Sequence, residues 1–273
     1  MSPRIVGIGH ALYAAAAVGL AILILGYRDF APMWQAVPAG IPERQIWVDA
    51  AGLLVLAAGA GLCFPRTAPA GLLVIGAYAA AWVSIEAARV VARPLSFGVW
   101  YGVFEALTPL LGAWILFALL RAPPPPASAR PSIASERGVR AAQALFGLNC
   151  VVYGLAHFAY ADLTASMVPA WLPYRLDLAY LTGLGHLAAG LGLVAGILPR
   201  LAAILESIMM SLFGILVWLP TLASQQLPIW APTRRYQWSE CVVTWLLAGS
   251  AWVVASSVRS RSHGERLRRK SES

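Results

Sequence analysis

Eight apolar stretches, each long enough to cross a bilayer as a helix, follow one another through this sequence. They cover residues 5–26, 46–64, 68–91, 100–120, 140–160, 176–197, 199–220 and 238–257. About 20 apolar residues span the hydrocarbon of a membrane as a helix. Inside lipid, only a helix or a closed barrel satisfies its own backbone polar groups. The composition agrees: 59% of the 273 residues are hydrophobic, 12% are charged and the mean hydropathy is +0.70. Soluble globular chains carry about 25% charged residues. The expectation is an all-α membrane protein with eight transmembrane helices, and its first partner is the lipid bilayer.

The net charge of +8 does not point to nucleic acid. Of the 20 basic residues 19 are arginine, placed in the connections and in the tail "VRSRSHGERLRRK". A basic segment beside a last hydrophobic span fits the positive-inside rule and anionic headgroups. With a cytoplasmic N-terminus, the basic residues divide 13 inside against 7 outside. Both termini are therefore expected in the cytoplasm, and the single lysine with abundant Ala, Gly and Arg suggests a bacterial cytoplasmic membrane. The segment "RAPPPPASARPSIASERGVR" reads as an exposed linker. Cys63, Cys150 and Cys241 form no C-x-x-C pattern and read as small buried hydrophobes.

The sequence repeats itself. "VPAGIPERQIWVDAAGLLVLAAGAGL" (37–62) lies over "VPAWLPYRLDLAYLTGLGHLAAGLGL" (168–193) without a gap, and roughly half the positions agree. Pro38 meets Pro169, Arg44 meets Arg175, and Gly52 and Gly59 meet Gly183 and Gly190; further on, Glu105 aligns with Glu240. The expected organisation is two parallel four-helix repeats: 1–120, a Pro/Ser-rich cytoplasmic linker 121–139, 140–258, and a basic cytoplasmic tail 259–273. Small residues three, four or seven apart let helices approach closely in lipid. Gly183 and Gly190 are predicted to face a neighbouring helix in this way.

Ionisable groups inside a bilayer are costly and mark function or a locked helix contact. The second repeat has His157 and His186 where the first has Gly26 and Val55. His186 is expected roughly 15 Å deep in its span at 1.5 Å per residue. His157 and Glu240 should lie near the outer ends of theirs, and one outward-facing cavity would collect all three. The competing readings are a helix-locking His186, an interfacial His157, and a Glu240 paired with Arg234 or Arg235. Glu206 is expected to pair with Arg200 rather than to join this cluster. No metal spacing is recognisable, and bis-histidine haem is disfavoured because the two depths differ.

The connection "TASMVPAWLP" adds Thr164, Ser166 and Trp171 as a candidate lid, and Trp218 in "VWLP" offers a second aromatic wall. Flat rings beside a lipid-accessible pocket suit a planar lipophilic ligand such as a quinone. Together with "YLTGLGHLAAGLGLVAGILPRLAA" and "LFGILVWLP", the stretch "HFAYADLTASMVPAWLP" resembles the DoxX-like family of bacterial membrane proteins. That resemblance implies a tandem fusion of two four-helix units. It also implies a quinone- or redox-linked role beside a soluble or membrane redox partner, and it carries no catalytic residues over. A carrier for a small hydrophobic or weakly acidic solute and a structural or assembly subunit remain open alternatives.

Overall fold

A computed structural model describes residues 7–35, 37–38, 40–121 and 133–258. The expected tail, 259–273, and most of the expected linker, 122–132, lie outside the described residues. The described chain is all-helical. Its elements are α1 (Gly7–Tyr27), α2 (Arg44–Gly61), α3 (Ala68–Ala92), α4 (Phe97–Leu120), α5 (Glu136–Ala159), α6 (Ala161–Met167), α7 (Arg175–Ala195) and α8 (Pro199–Phe213). A π-helical turn, Gly214–Trp218, then leads into α9 (Leu219–Ala223), and α10 (Arg234–Ser257) follows.

Among the described residues seven helices are long and apolar enough to cross a membrane, with Pro199–Ala223 acting as one span. The eighth expected span, α2, has 18 residues with Arg44 and Asp49 in its first turns, and falls outside that group. The outward faces suit lipid. Leu181, Leu184 and Leu191 of α7 are more than half exposed, while His186 on the opposite face is buried. Together these features describe a multi-pass membrane protein.

Two departures from the sequence reading have local causes. Helix α5 starts at Glu136, inside the expected linker, because Ser135 caps it by accepting from the Gly138 N–H at 3.2 Å. The span expected at 199–220 is interrupted by the π turn. Pro220 has no N–H and would crowd the carbonyl of residue 216 in a regular α-helix, and the wider turn relieves that conflict.

The helices close into a ring. α1 packs on α2 and α10, α2 on α3, α3 on α4, α4 on α5, α5 on α7, α7 on α8 and α8 on α10, while α4 and α10 also meet across it. Glycines set the closest contacts. A Cβ on Gly190 would stand 2.5 Å from the Gly147 carbonyl oxygen, and one on Gly154 2.8 Å from that of Gly183. As the spacing predicts, Gly183 and Gly190 together form one face against α5. At the α1–α10 seam, a Cβ on Gly9 would meet the Val253 backbone nitrogen at 2.5 Å.

Outside the spans, the loop after α1 is tied to α10. Asp29 Oδ1 accepts from Arg44 Nε at 3.1 Å and Nη2 at 2.5 Å, and Asp29 Oδ2 lies 2.8 Å from Arg235 Nη2. Burial alone would raise the Asp29 pKa. The Arg44 hydrogen bond, the Phe30 N–H and the charges of Arg235 and Arg44 outweigh it, so the carboxyl titrates below its ordinary value.

Candidate functional site

The buried polar centre of the molecule is built where α7, α8 and α5 meet. Helix α7 ends at Ala195, Gly196 turns the chain with φ 69°, and α8 starts at Pro199. That tight turn sets residues equally distant from it at equal depth. His186 and Glu206 therefore face each other, both 1% exposed. His186 Nδ1 lies 2.9 Å from Glu206 Oε1 and 3.1 Å from Oε2. Glu206 thus pairs with His186, not with Arg200. Arg200 is the nearer in sequence, six residues away, but the hairpin brings His186 instead, and counting outward from "GILPR" gives that match. The Cys150 thiol of α5 lies beside the same carboxyl and is fully buried.

His157 comes from the last turn of α5. Its ring centroid is 5.0 Å from that of His186, at an edge-on angle of 60°. Its Nδ1 lies 3.1 Å from the Ala179 carbonyl oxygen and 2.9 Å from Thr182 Oγ1. The depth difference expected between the two histidines is thus only about one turn, and the side chains bridge it. Phe213, the last residue before the π turn, stacks on His157 at 5.9 Å and lies 5.8 Å from His186. Tyr153 closes the other side, edge-on to His186 at 5.9 Å. Its hydroxyl is hydrogen-bonded to Thr108 of α4, which also accepts from Asn149 Nδ2 at 2.8 Å.

Hydrogen-bond chemistry assigns the tautomer of His157. A carbonyl only accepts, so the His157 Nδ1 facing Ala179 carries the proton. As a neutral ring, His157 then keeps Nε2 as an acceptor. Between His186 Nδ1 and the Glu206 carboxyl one shared proton makes the bond, and either partner can carry it. The set resembles the base-and-orienter arrangement of acid–base sites, in which a carboxyl group fixes the orientation of a ring. Among the described residues no three His, Cys, Asp or Glu are grouped so as to hold a metal ion.

The remaining candidates are placed elsewhere. Thr164 and Ser166 lie on α6 and spend their hydroxyls on their own turn, at the carbonyls of Tyr160 (3.1 Å) and Leu163 (2.6 Å). Trp171 is 71% exposed, as suits a membrane-interface residue. Trp218 is buried, but against Trp230 at 5.6 Å in a separate cluster with Cys241. Glu240 does not join the histidines; the charge acting on it is that of Glu105. Nor does it pair with its neighbouring arginines. Arg234 donates to Gln237 and to the carbonyls of Thr221, Leu222 and Ser224, and Arg235 binds Asp29 and the Phe30 carbonyl.

The residues expected around one cavity are therefore parted, with the two histidines together and Glu240 away from them on α10. A groove of about 510 Å³ runs along the lipid side of α7, between Leu172, Pro173, Tyr174, Asp177, Tyr180 and Leu184. Tyr180 at its wall stacks on Phe158, the neighbour of His157, at 5.6 Å. Thr182, Phe213, Tyr153 and Cys150 complete the polar centre and carried no sequence signal of their own, being ordinary apolar-span residues. No protein-family model, curated protein or solved structure matches the chain.

Proposed function

We propose that this chain is a redox-associated subunit of the bacterial cytoplasmic membrane that binds a quinone or its quinol in the outward half of its second repeat. The observation that carries this reading is the buried Glu206–His186 pair leading to the half-buried His157. A neutral His157 with Nδ1 occupied and Nε2 accepting suits a hydroxyl of a quinol head. Phe213 and Tyr153 supply aromatic faces, and the groove along α7 supplies an apolar approach from lipid. On oxidation a quinol releases two electrons and two protons. The electrons pass to the redox partner, and the protons pass to His157 and through His186 toward Glu206.

The same reading includes a DoxX-like architecture: eight crossings, two parallel four-helix repeats and both termini in the cytoplasm. Three features support the duplication. Glu43 and Tyr174, equivalent in the sequence match, both adopt the left-handed conformation (φ 51° and 53°) just before the arginine that opens the helix. A non-glycine residue seldom does so. Gly52 and Gly59 press α2 onto α1 as Gly183 and Gly190 press α7 onto α5. The seam of α1 with α10 exchanges with that of α5 with α4 when the halves are interchanged, and α4 with α10 maps onto itself.

Gentle purification should retain quinone on the wild-type chain, and His186→Ala should lose it while the protein stays monodisperse. Wild-type protein that neither retains nor rebinds quinone would sink the proposal. A carrier is the second reading, favoured by the π turn that interrupts the Pro199–Ala223 span beside Phe213. Solute flux into proteoliposomes driven by a proton gradient, without bound quinone, would select it.

A further inference from the structure

Helix α7 presents a seat to the His157 ring. The ring's Nδ1 lies 2.9 Å from Thr182 Oγ1 and 3.1 Å from the Ala179 carbonyl oxygen. Gly183 leaves the space in which the side chain stands: a Cβ there would come within 2.8 Å of His157 Cβ and 3.1 Å of Phe158 Cε2. Phe213 stacks on the ring at an interplanar angle of 26°, and His186 meets it edge-on. In the internal sequence match, the first half has Gly26 at the place of His157 and Ala51 at the place of Thr182. The ring and its hydroxyl support are thus both absent from the first half.

The Thr182 hydroxyl has one proton. The carbonyls of Leu178 at 2.9 Å and Ala179 at 3.0 Å can only accept it. The hydroxyl therefore turns a lone pair toward Nδ1, as the Ala179 carbonyl does. With its proton on Nε2 instead, the ring would set a bare nitrogen against that carbonyl. Two acceptors at Nδ1 thus hold the neutral ring with its lone pair on Nε2. No hydrogen bond among the described residues reaches Nε2, and the ring is only half-buried. Phe158, next in the chain, stacks on Tyr180 at the wall of the groove along α7.

We propose that Thr182 is a positioning residue that holds His157 as a fixed acceptor, so that the site takes the reduced, hydroxyl-bearing form of its ligand over the oxidised, carbonyl-bearing form. This rests on the quinone reading and adds to it the redox form that binds. A quinol hydroxyl donates to Nε2. A quinone carbonyl would set lone pair against lone pair and leave the nitrogen without a partner, and a site built for a hydrogen bond discriminates strongly against a ligand that cannot make it.

The test uses the full chain in lipid nanodiscs at about pH 8, above the ordinary imidazole range. Decylubiquinol and decylubiquinone, which share one tail, are the probes, with binding read by anaerobic calorimetric titration. NMR of the histidine nitrogens in isotope-labelled protein reports the tautomer of His157, whose signal is identified by its loss in His157→Gln. The wild type should carry the proton on Nδ1 and bind the quinol at least about tenfold more tightly than the quinone. Thr182→Val should narrow that ratio severalfold and give mixed tautomers, and Thr182→Ser, which keeps the hydroxyl, should restore both. An unchanged ratio and tautomer in folded Thr182→Val would overturn the role of Thr182. Equal affinity for the two forms, tighter binding of the quinone, or a wild-type proton on Nε2 would overturn the proposal and leave quinone binding itself standing. Binding of neither form would overturn both.

Discussion

At the scale of single residues, the account rests on Glu206 and His186. A buried acid–imidazole pair is far more sensitive to the loss of one partner than to the replacement of both. Removing one partner of a buried pair costs about 3–5 kcal/mol, because the other is left desolvated and unpaired. Glu206→Ala should therefore lower the thermal transition in detergent sharply. Glu206→Gln keeps an acceptor for His186 Nδ1 and should fold nearly normally, yet slow proton uptake from bound quinol. A calorimetric scan beside a stopped-flow pH trace separates the two effects. Equal damage from both substitutions would mean that the pair only locks helices. The histidines were legible in the sequence as an asymmetry between the halves, since Gly26 and Val55 stand at the matching places. Glu206 was legible as a buried charge, but its partner was not, because pairing across a hairpin depends on where the turn falls. Cys150, Thr182 and Phe213 were illegible for another reason. Each is an unremarkable residue in an apolar span, and only packing reveals what it touches.

At the scale of elements, glycine contacts and one salt cluster carry the arrangement. The α5–α7 seam has no room at Gly190, where a Cβ would meet backbone at 2.5 Å. Gly190→Val should separate the helices and disturb the His157–His186 contact, at a cost of roughly 1–3 kcal/mol or more for overpacking. Gly26→Val, at a position with open space around it, should be tolerated; comparing their thermal transitions checks the seam. The Asp29–Arg44–Arg235 cluster makes a prediction about pH. Its carboxyl titrates below the ordinary value in the folded protein, so its contribution is fully present above the ordinary carboxylate range. That contribution is lost as pH falls through the lower, folded value. Asp29→Asn should remove about 1 kcal/mol near neutral pH and make no difference in strong acid. A difference between the two proteins that persists unchanged below about pH 3 would contradict this. The helix boundaries were largely legible, because apolar length sets a membrane helix. The short α6 and the π turn were not. The first lies in a connection that prolines and hydroxyls had marked as loop, and the second is a local response to Pro220.

At the scale of the whole molecule, the pattern of helix contacts is compatible with the proposed duplication, because exchanging α1–α4 with α5, α7, α8 and α10 returns the same ring of neighbours. Eight crossings put both termini on one side of the membrane, whereas seven would separate them. Reporter fusions at each end settle the count. Equal cytoplasmic activity from both is the expected outcome, and opposite outcomes would remove α2 from the spans. In the proposed duplication the halves differ: the second has the Glu206–His186 pair beside His157, and the first has Gly26 and Val55 at the places of the two histidines. The most direct measurement is photolabelling with an azido-quinone in native membranes, followed by mapping of the cross-links. Labels that unlabelled quinone competes away should fall on the segments around His157, His186 and Phe213. Competed labels confined to the first half, or none at all, would contradict the account.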